Sequence, residues 1–450
     1  MKKYVKDMTE GNPTGLILSF MMPMLVGNIF QQLYNMVDSM IVGKYVGADA
    51  LAAIGATSSM NFLIFSLCGG MANGIGVIIS QYFGAGRDDD VKKAIANAVY
   101  IMSVAALIMG TIGVVFSKPI LAFLNTPDNI LDQSALYMQI MSAGIFAVAI
   151  YNCISAILRA IGDSKTPLYF LIVASIVNVG LDLLFVRVFH MGVAGAGIAT
   201  IIAQLLSGGG SLVFAIMKNP YFKIGKEHMK AELDIIKQCV RMGIPLAFQS
   251  SLIAISCVSL QSVVNTFGSV VVAAFTATSR IEMLVQQPFG SLSMAISTYT
   301  GQNIGAGKID RVKQGFKRAY LMMAIFALAM VPLAQFGGEW IMKFFVNETD
   351  VIEMGSQAMK LTSWFYLLLG SIYVARGALN GAGDATFAFI NGVVECIGRI
   401  CLAKPLTLIP GIGVWGVWLA TAFTWAIAGI FSLSRYAQGK WKKGVPEAKE

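Results

Sequence analysis

Two carboxylates stand where the surrounding sequence is otherwise apolar. Asp38 lies inside the first long hydrophobic stretch, with Asn35 one turn before it. Asn178 and Asp182 lie in the fifth stretch at i, i+4 spacing, which sets them on one face of a helix. Thr200 lies in the sixth. An acid in a hydrocarbon setting is costly and marks a functional candidate. Carboxylate, amide and hydroxyl oxygens are the donors that a proton or a hard cation such as Na+ takes. The competing reading of this cluster is a buried hydrogen-bonded network that only holds helices together.

The elements that position these groups follow from composition. Of 450 residues, 56% are hydrophobic and 13% charged, against about 25% charged in soluble proteins. So little charge cannot cover the surface of two water-soluble domains, and lipid is the natural neighbour. A helix needs roughly 20 apolar residues to cross the hydrocarbon core. Twelve such stretches are expected, at 14–42, 50–82, 92–117, 134–160, 166–189, 192–217, 238–266, 270–300, 314–336, 351–379, 386–409 and 412–434. Pro23, Pro245, Pro288 and Pro332 fall inside them, each removing a backbone donor where a helix can bend. The chain reads as an all-α polytopic membrane protein. The first stretch reads as its first transmembrane helix rather than a cleaved signal, because it is long and carries Gln31, Gln32, Asn35 and Asp38.

The net charge of +9 invites a nucleic-acid partner, but its distribution argues for topology instead. With the N-terminus in the cytoplasm, the outer loops hold only Lys44, Lys118, Arg187, Lys343 and Lys404. Most of the 33 Lys and Arg then fall on the cytoplasmic side, as the positive-inside rule requires. Both termini are expected in the cytoplasm. The six cysteines form no C-x-x-C pair and read as small buried hydrophobes. No cofactor is expected beyond a coupling ion.

The chain is also a duplication. Gln81-Tyr82-Phe83-Gly84-Ala85-Gly86 is echoed in the second half by Gln302-Asn303-Ile304-Gly305-Ala306-Gly307. Leu158, Gly162 and Asp163 return at the same offset as Leu379, Gly383 and Asp384. Gly192, Ala199 and Thr200 return, again at that offset, as Gly413, Ala420 and Thr421. The G-A-G segments read as turns, since no Lys-Ser/Thr of a phosphate loop follows. Asp163 and Asp384 read as helix stop and start signals. Each half holds six spans, so two parallel repeats are expected around a central cavity. The divisions are an N-lobe at 1–217, a cytoplasmic linker helix within 218–241 and a C-lobe at 242–450.

The repeat is broken at the acids. Asn178 maps to Arg399 and Asp182 to Ala403. Glu395 and Arg399 stand at i, i+4 and are expected to form an ion pair, structural or in contact with substrate. Arg280 and Glu282 are two apart and fall on different helix faces. Gln249, Gln261, Gln286 and Gln287 add neutral polarity.

Taken in order, Pro23, Asp38, Gln81 with Gly84-Ala85-Gly86, Leu158 to Asp163, Gly192 to Thr200 and Gln302 to Gly307 resemble the multidrug and toxic compound extrusion (MATE) transporters, in the bacterial multidrug-exporter branch. The resemblance runs from about Ile17 to Tyr436. It implies export of cationic amphiphilic drugs or metabolites in exchange for H+ or Na+. It implies that Asp38, Asn178, Asp182 and Thr200 form the coupling site, with any Na+ held at Asp38 and Asp182, and that the first helix bends at Pro23. The family's other branch places acids in the seventh and tenth spans. Here the seventh has none and the tenth has only Glu353 at its outer end, so coupling is expected in the first half.

The expected protein is therefore a multi-pass antiporter of a bacterial plasma membrane, working as a monomer. Its partners are a small-molecule substrate and membrane lipids, with no nucleic acid. The alternative cargo is lipid-linked, although few intramembrane cations are available to hold it. An enzyme is disfavoured: His190 and His228 both lie outside the spans, and neither H-E-x-x-H nor G-x-S-x-G is present.

Overall fold

A computed structural model of the chain describes residues 5–124 and 126–444. Those residues form fourteen α-helices and no strand. The first half holds α1 (Pro13–Tyr45), α2 (Ala48–Gly84), α3 (Asp88–Phe123), α4 (Asp128–Ala143), α5 (Ile145–Ala160), α6 (Lys165–Asp182) and α7 (Gly192–Lys218). The second half holds α8 (Leu233–Val264), α9 (Ser269–Gly305), α10 (Ile309–Met342), α11 (Thr349–Ser363), α12 (Tyr366–Gly381), α13 (Ala385–Thr407) and α14 (Gly416–Ala437).

The duplication is visible in the backbone. Helices α2 and α9 are equal in length, and both of their ends are related by the offset of the sequence repeat. The same holds for α5 and α12. The turns repeat as well. Gly86 and Gly307 take φ of 67° and 70°, and Gly162 and Gly383 take 91° and 85°. Side chains rarely adopt that left-handed region, so the same residue type is required twice. Beside these turns Asp163 Oδ1 accepts from the backbone N–H of Thr166 at 2.9 Å, and Asp384 Oδ1 from that of Phe387 at 3.1 Å. Both aspartates cap helix starts, as their spacing suggested.

Among the described residues, nine helical segments are long and apolar enough to cross a membrane, and two bent pairs bring the number to eleven. The 37-residue α9 is the twelfth long element; Arg280, Glu282, Gln286 and Gln287 interrupt its apolar sequence. Apolar side chains such as Ile325, Leu328 and Phe336 stand exposed on α10, with Phe336 at 92%. A surface of that kind is stable only against lipid or a partner. The bends depart from the expected spans. The stretches expected as single crossings at 134–160 and 351–379 are each broken, by 46° between α4 and α5 and by 56° between α11 and α12. At the breaks Gly144 and Phe365 hold ψ of 5° and 0°, away from the value of a regular α-helix. Hydropathy is blind to a break that keeps both arms apolar.

The chain divides into two compact units. Unit 1 comprises the residues up to Met8 with Met22–Ala247, and unit 2 comprises Thr9–Met21 with everything from Phe248 onward. The division therefore falls inside α1 and inside α8, each time within a turn of a proline, Pro23 or Pro245. No separate helix occupies 218–241. After a single 3-10 turn at Pro220–Phe222 the chain folds back, and the backbone N–H of Gly225 donates to His228 Nδ1 at 3.0 Å. The helical part of the expected linker belongs to the first turns of α8, which starts at Leu233 and runs on without a break through Gly243.

Close backbone approach sets the packing. In unit 1 a Cβ on Gly70 or Gly74 of α2 would collide with the α8 backbone at Ala247 or Gly243. In unit 2 one on Gly377 or Gly381 of α12 would collide with the carbonyl oxygens of Ser293 or Ser297 of α9. Small residues four apart bring helices together in lipid, where burial of apolar surface supplies no drive.

Candidate cation-coupling site

The acids of the first half meet. Asp38 comes from the second half of α1, and Asn178 and Asp182 from the last turns of α6. Asn178 and Asp182 are both fully buried. The Asp38 and Asp182 carboxyl groups lie against one another. Asp38 Oδ1, both oxygens of Asp182, and both Oδ1 and Nδ2 of Asn178 have no hydrogen-bond partner in the protein. Buried polar atoms left unpaired in this way cost about 1–3 kcal/mol each. Two facing carboxylates that lack donors are stable only when something positive joins them.

Tyrosine and glutamine side chains complete the surroundings. Tyr137 of α4 faces both acids, and Tyr34, one turn before Asp38, lies beside Gln31 and Gln204. Immediately after Asp182 the helix widens into a π segment at Leu183–Val188, a rare form that appears mostly at functional positions. An apolar cluster of Ile41, Val42, Tyr137, Met141, Val186 and Val193 packs next to the site. Thr200 does not join the acids by a hydrogen bond; its hydroxyl donates to the Ala196 carbonyl on its own helix at 3.0 Å. Asn35 is exposed on α1, and Pro23 sits far from the acids near the start of that helix.

In unit 2 the expected ion pair is replaced by another. Glu395 is paired with Arg376 of α12, not with Arg399. Arg376 Nε also donates to Asn391 Oδ1 at 3.0 Å, and Gln249 Nε2 donates to the same oxygen at 3.3 Å. The Arg399 guanidinium turns to α8 and donates to Ser256 Oγ at 2.8 Å and Cys257 Sγ at 3.3 Å. The i, i+4 rule applies to helix surfaces; inside a bundle a neighbouring helix can supply a nearer partner. Arg280 is exposed and Glu282 is 9% exposed, so the two do occupy different faces.

The profile of the MatE family matches residues 23–184 and again 245–403. The chain belongs to the MatE family. One matched block falls in each half of the chain, so the family pattern itself occurs twice. One relative, "Probable multidrug resistance protein YpnP" of Bacillus subtilis, is 30% identical over 448 residues, 98% of each chain. Another, the "FAD transporter" of Shewanella oneidensis, is 24% identical over 432 residues, 92% of each. The fold resembles that of the solved "Crystal structure of MATE in the bent conformation", with a TM-score of 0.91, 21% identity and 98% of each chain covered. As a MatE protein the chain is a transporter of the membrane, and the first matched block contains Pro23, Asp38 and Asn178 through Asp182.

Sequence reading missed Arg376, because it sits near the end of α12 and resembles a cytoplasmic flanking charge. It also missed Tyr34, Tyr137 and Gln204. Amphipathic polar residues are common in such helices, and only the packing shows which ones face the acids.

Proposed function

We propose that this MatE protein exports cationic amphiphilic drugs or metabolites by exchange for H+ or Na+, with Asp38 and Asp182 as the coupling groups. The observation that carries the reading is a facing carboxylate pair, three of whose four oxygens have no hydrogen-bond donor. A proton or Na+ would relieve that arrangement and a cation-free state would not, so occupancy of the site has different energies in different conformations. A ligand drives a conformational change only through such a difference. Asn178 supplies a neutral oxygen beside the acids, and the adjoining π segment gives α6 a place to change its winding. Pro23 is the bend point of α1, within one turn of where that helix passes between units. The membrane is a bacterial plasma membrane and both termini face the cytoplasm, in keeping with the basic loops.

The test is a growth assay in a bacterial host stripped of its own drug exporters. The protein should raise the inhibitory concentration of cationic dyes, and Asp38→Asn or Asp182→Asn should return it to the level of the empty host. Resistance retained by both variants would overturn the assignment. A second reading, an anionic cargo, is favoured by Arg399, whose guanidinium meets a hydroxyl and a thiol but no carboxylate within bonding distance, and by the relative named as an FAD transporter. It is distinguished by a flavin nucleotide or lipid-linked sugar, rather than a dye, being moved.

A further inference from the structure

We propose that the start of α1 and the basic end of α10 form a binding site for the phosphate headgroup of an anionic phospholipid. The site lies wholly in unit 2. It concerns lipid rather than cargo or coupling ion, and so goes beyond the function proposed above.

A cavity of about 300 Å3 is lined by Asn12, Pro13, Gln314, Lys317 and Arg318. That volume suits a small ligand. The side chains offer two amides, an ammonium and a guanidinium, and no acid is among them. Asn12 caps α1, its Oδ1 accepting from the backbone N–H of Thr14 at 3.1 Å. The Asn12 Nδ2 is left as a donor, and the positive end of the α1 dipole adds to the same field. A guanidinium fork beside an ammonium is the donor set that phosphate oxygens select.

Neighbouring cations hold the wall of the cavity in place. Lys308 Nζ donates to the Thr9 carbonyl at 3.1 Å, and Arg311 Nη2 to the Gly11 carbonyl at 3.1 Å. Lys313 pairs with Asp310 at 2.8 Å. Those three are occupied. Among the described residues, Lys317 and Arg318 enter no ion pair and no side-chain hydrogen bond.

The repeat supplies a contrast. Helix α3 is the counterpart of α10, and its Asn97 and Tyr100 correspond to Arg318 and Leu321. On α3 this face is covered by the chain that follows α7. Asn97 Nδ2 donates to the Lys230 carbonyl at 3.3 Å, and Asn97 Oδ1 accepts from the backbone N–H of Glu232 at 3.1 Å. Tyr100 OH donates to the Met229 carbonyl at 2.7 Å. Asn97 is fully buried, whereas Arg318 and Leu321 are exposed. The face that unit 1 closes with its own chain is open in unit 2 and carries two cations.

An apolar wall running on from the cations favours a lipid over a soluble anion. Leu321, Ile325 and Leu328 follow Lys317 at helical spacing on one face of α10 and are 51%, 62% and 60% exposed. Beyond Arg318 the helix carries no charge until Glu339. The cavity therefore sits where α10 enters the hydrocarbon, with the headgroup at the cations and the acyl chains along the stripe. Basic pockets at that depth bind anionic headgroups. In the orientation proposed above, this is the cytoplasmic leaflet.

The experiment is native mass spectrometry of the delipidated full-length protein in detergent. Phosphatidylglycerol, phosphatidylcholine and glycerol phosphate are titrated in separate arms. The first phosphatidylglycerol adduct should form at a lower concentration than the first phosphatidylcholine adduct. Lys317→Gln/Arg318→Gln should weaken it about tenfold, and the charge-preserving Lys317→Arg/Arg318→Lys should retain it. Lys223→Gln/Lys226→Gln removes two exposed cations of the segment after α7 and should leave it unchanged. Melting temperatures of the variants check the fold. Equal affinity for the two lipids, a preference that survives Lys317→Gln/Arg318→Gln, or an equal loss in the Lys223→Gln/Lys226→Gln protein would overturn the site. Displacement of the lipid by glycerol phosphate at equal concentration would assign the cavity to a soluble phosphate and overturn the lipid reading. The measurement reads lipid binding alone, so it fails independently of the Asp38–Asp182 coupling.

Discussion

Asp38 on α1 and Asp182 on α6 place their carboxyl groups against each other inside unit 1, and three of their four oxygens meet no hydrogen-bond donor from the protein. Two helices that carry one acid each are thus held together at a point of repulsion. Such a contact works against stability unless a cation occupies it, and that is the property an exchanger needs.

Replacing Asp182 by Asn removes one of the two facing charges. The variant should be more heat-stable than the parent in sodium-free detergent at alkaline pH, by about 0.5–2 kcal/mol, while losing transport, the usual trade between stability and function. Thermal unfolding with and without Na+ checks it. Destabilisation of Asp182→Asn in both conditions would point to a structural network instead.

In unit 2 the Arg376–Glu395 pair is buried, with side chains 14% and 5% exposed. Glu395→Ala leaves Arg376 in place without its acid and should lower stability by about 3–5 kcal/mol. The double variant Arg376→Met/Glu395→Leu should recover most of that loss, because it removes both charges together. Thermal unfolding of the three proteins decides between an ion pair and two independent contacts.

Gly74 of α2 faces the backbone of Gly243 in α8. Gly74→Leu should force the helices apart and cost about 1–3 kcal/mol or more, the penalty of overpacking a core. Gly55, whose added Cβ would meet nothing within 4 Å, is the control, and Gly55→Leu should be tolerated. Detergent-extracted yield and melting temperature give the comparison.

Much of this fold was legible in the sequence, and the reasons are physical. Lipid imposes length and apolarity on each span, so hydropathy located the elements. The internal repeat set the correspondence of the halves down to the positive-φ glycines, because glycine has few substitutes there. Asp38 and Asp182 stood out because acids are costly in hydrocarbon. The bends at Gly144 and Phe365 were not legible, since neither leaves a polar or proline signature. Nor was the partner of Glu395, because Arg376 lies on a different helix and only tertiary packing brings it near. Thr200 matched the resemblance by type, yet its hydroxyl is taken by Ala196.

The segment after α7 is docked on α3 by charge. His228 Nε2 lies 2.8 Å from Asp89 Oδ1, and Tyr221 OH donates to Asp88 Oδ1 at 2.8 Å. The His228 hydrogen bond, with Lys93 adding to it, holds the Asp89 carboxyl below its usual range. A carboxyl lowered on folding contributes above its unfolded value of about 3.9 and loses that contribution as pH falls through the folded value. The contact should therefore persist from neutral pH down to about pH 4 and fail below it. The chain has two histidines, so histidine-selective NMR can follow His228 directly. Asp89→Asn should give the released His228 spectrum already at neutral pH.

The central claim is that a cation at Asp38 and Asp182 drives export. Its most direct test is uptake of a fluorescent organic cation into inside-out vesicles carrying the protein, with a proton gradient or a Na+ gradient imposed in turn. The account expects accumulation under one of the two gradients, and none above empty vesicles in Asp38→Asn or Asp182→Asn inserted at equal amounts. Gradient-driven accumulation that persists in both variants would contradict it.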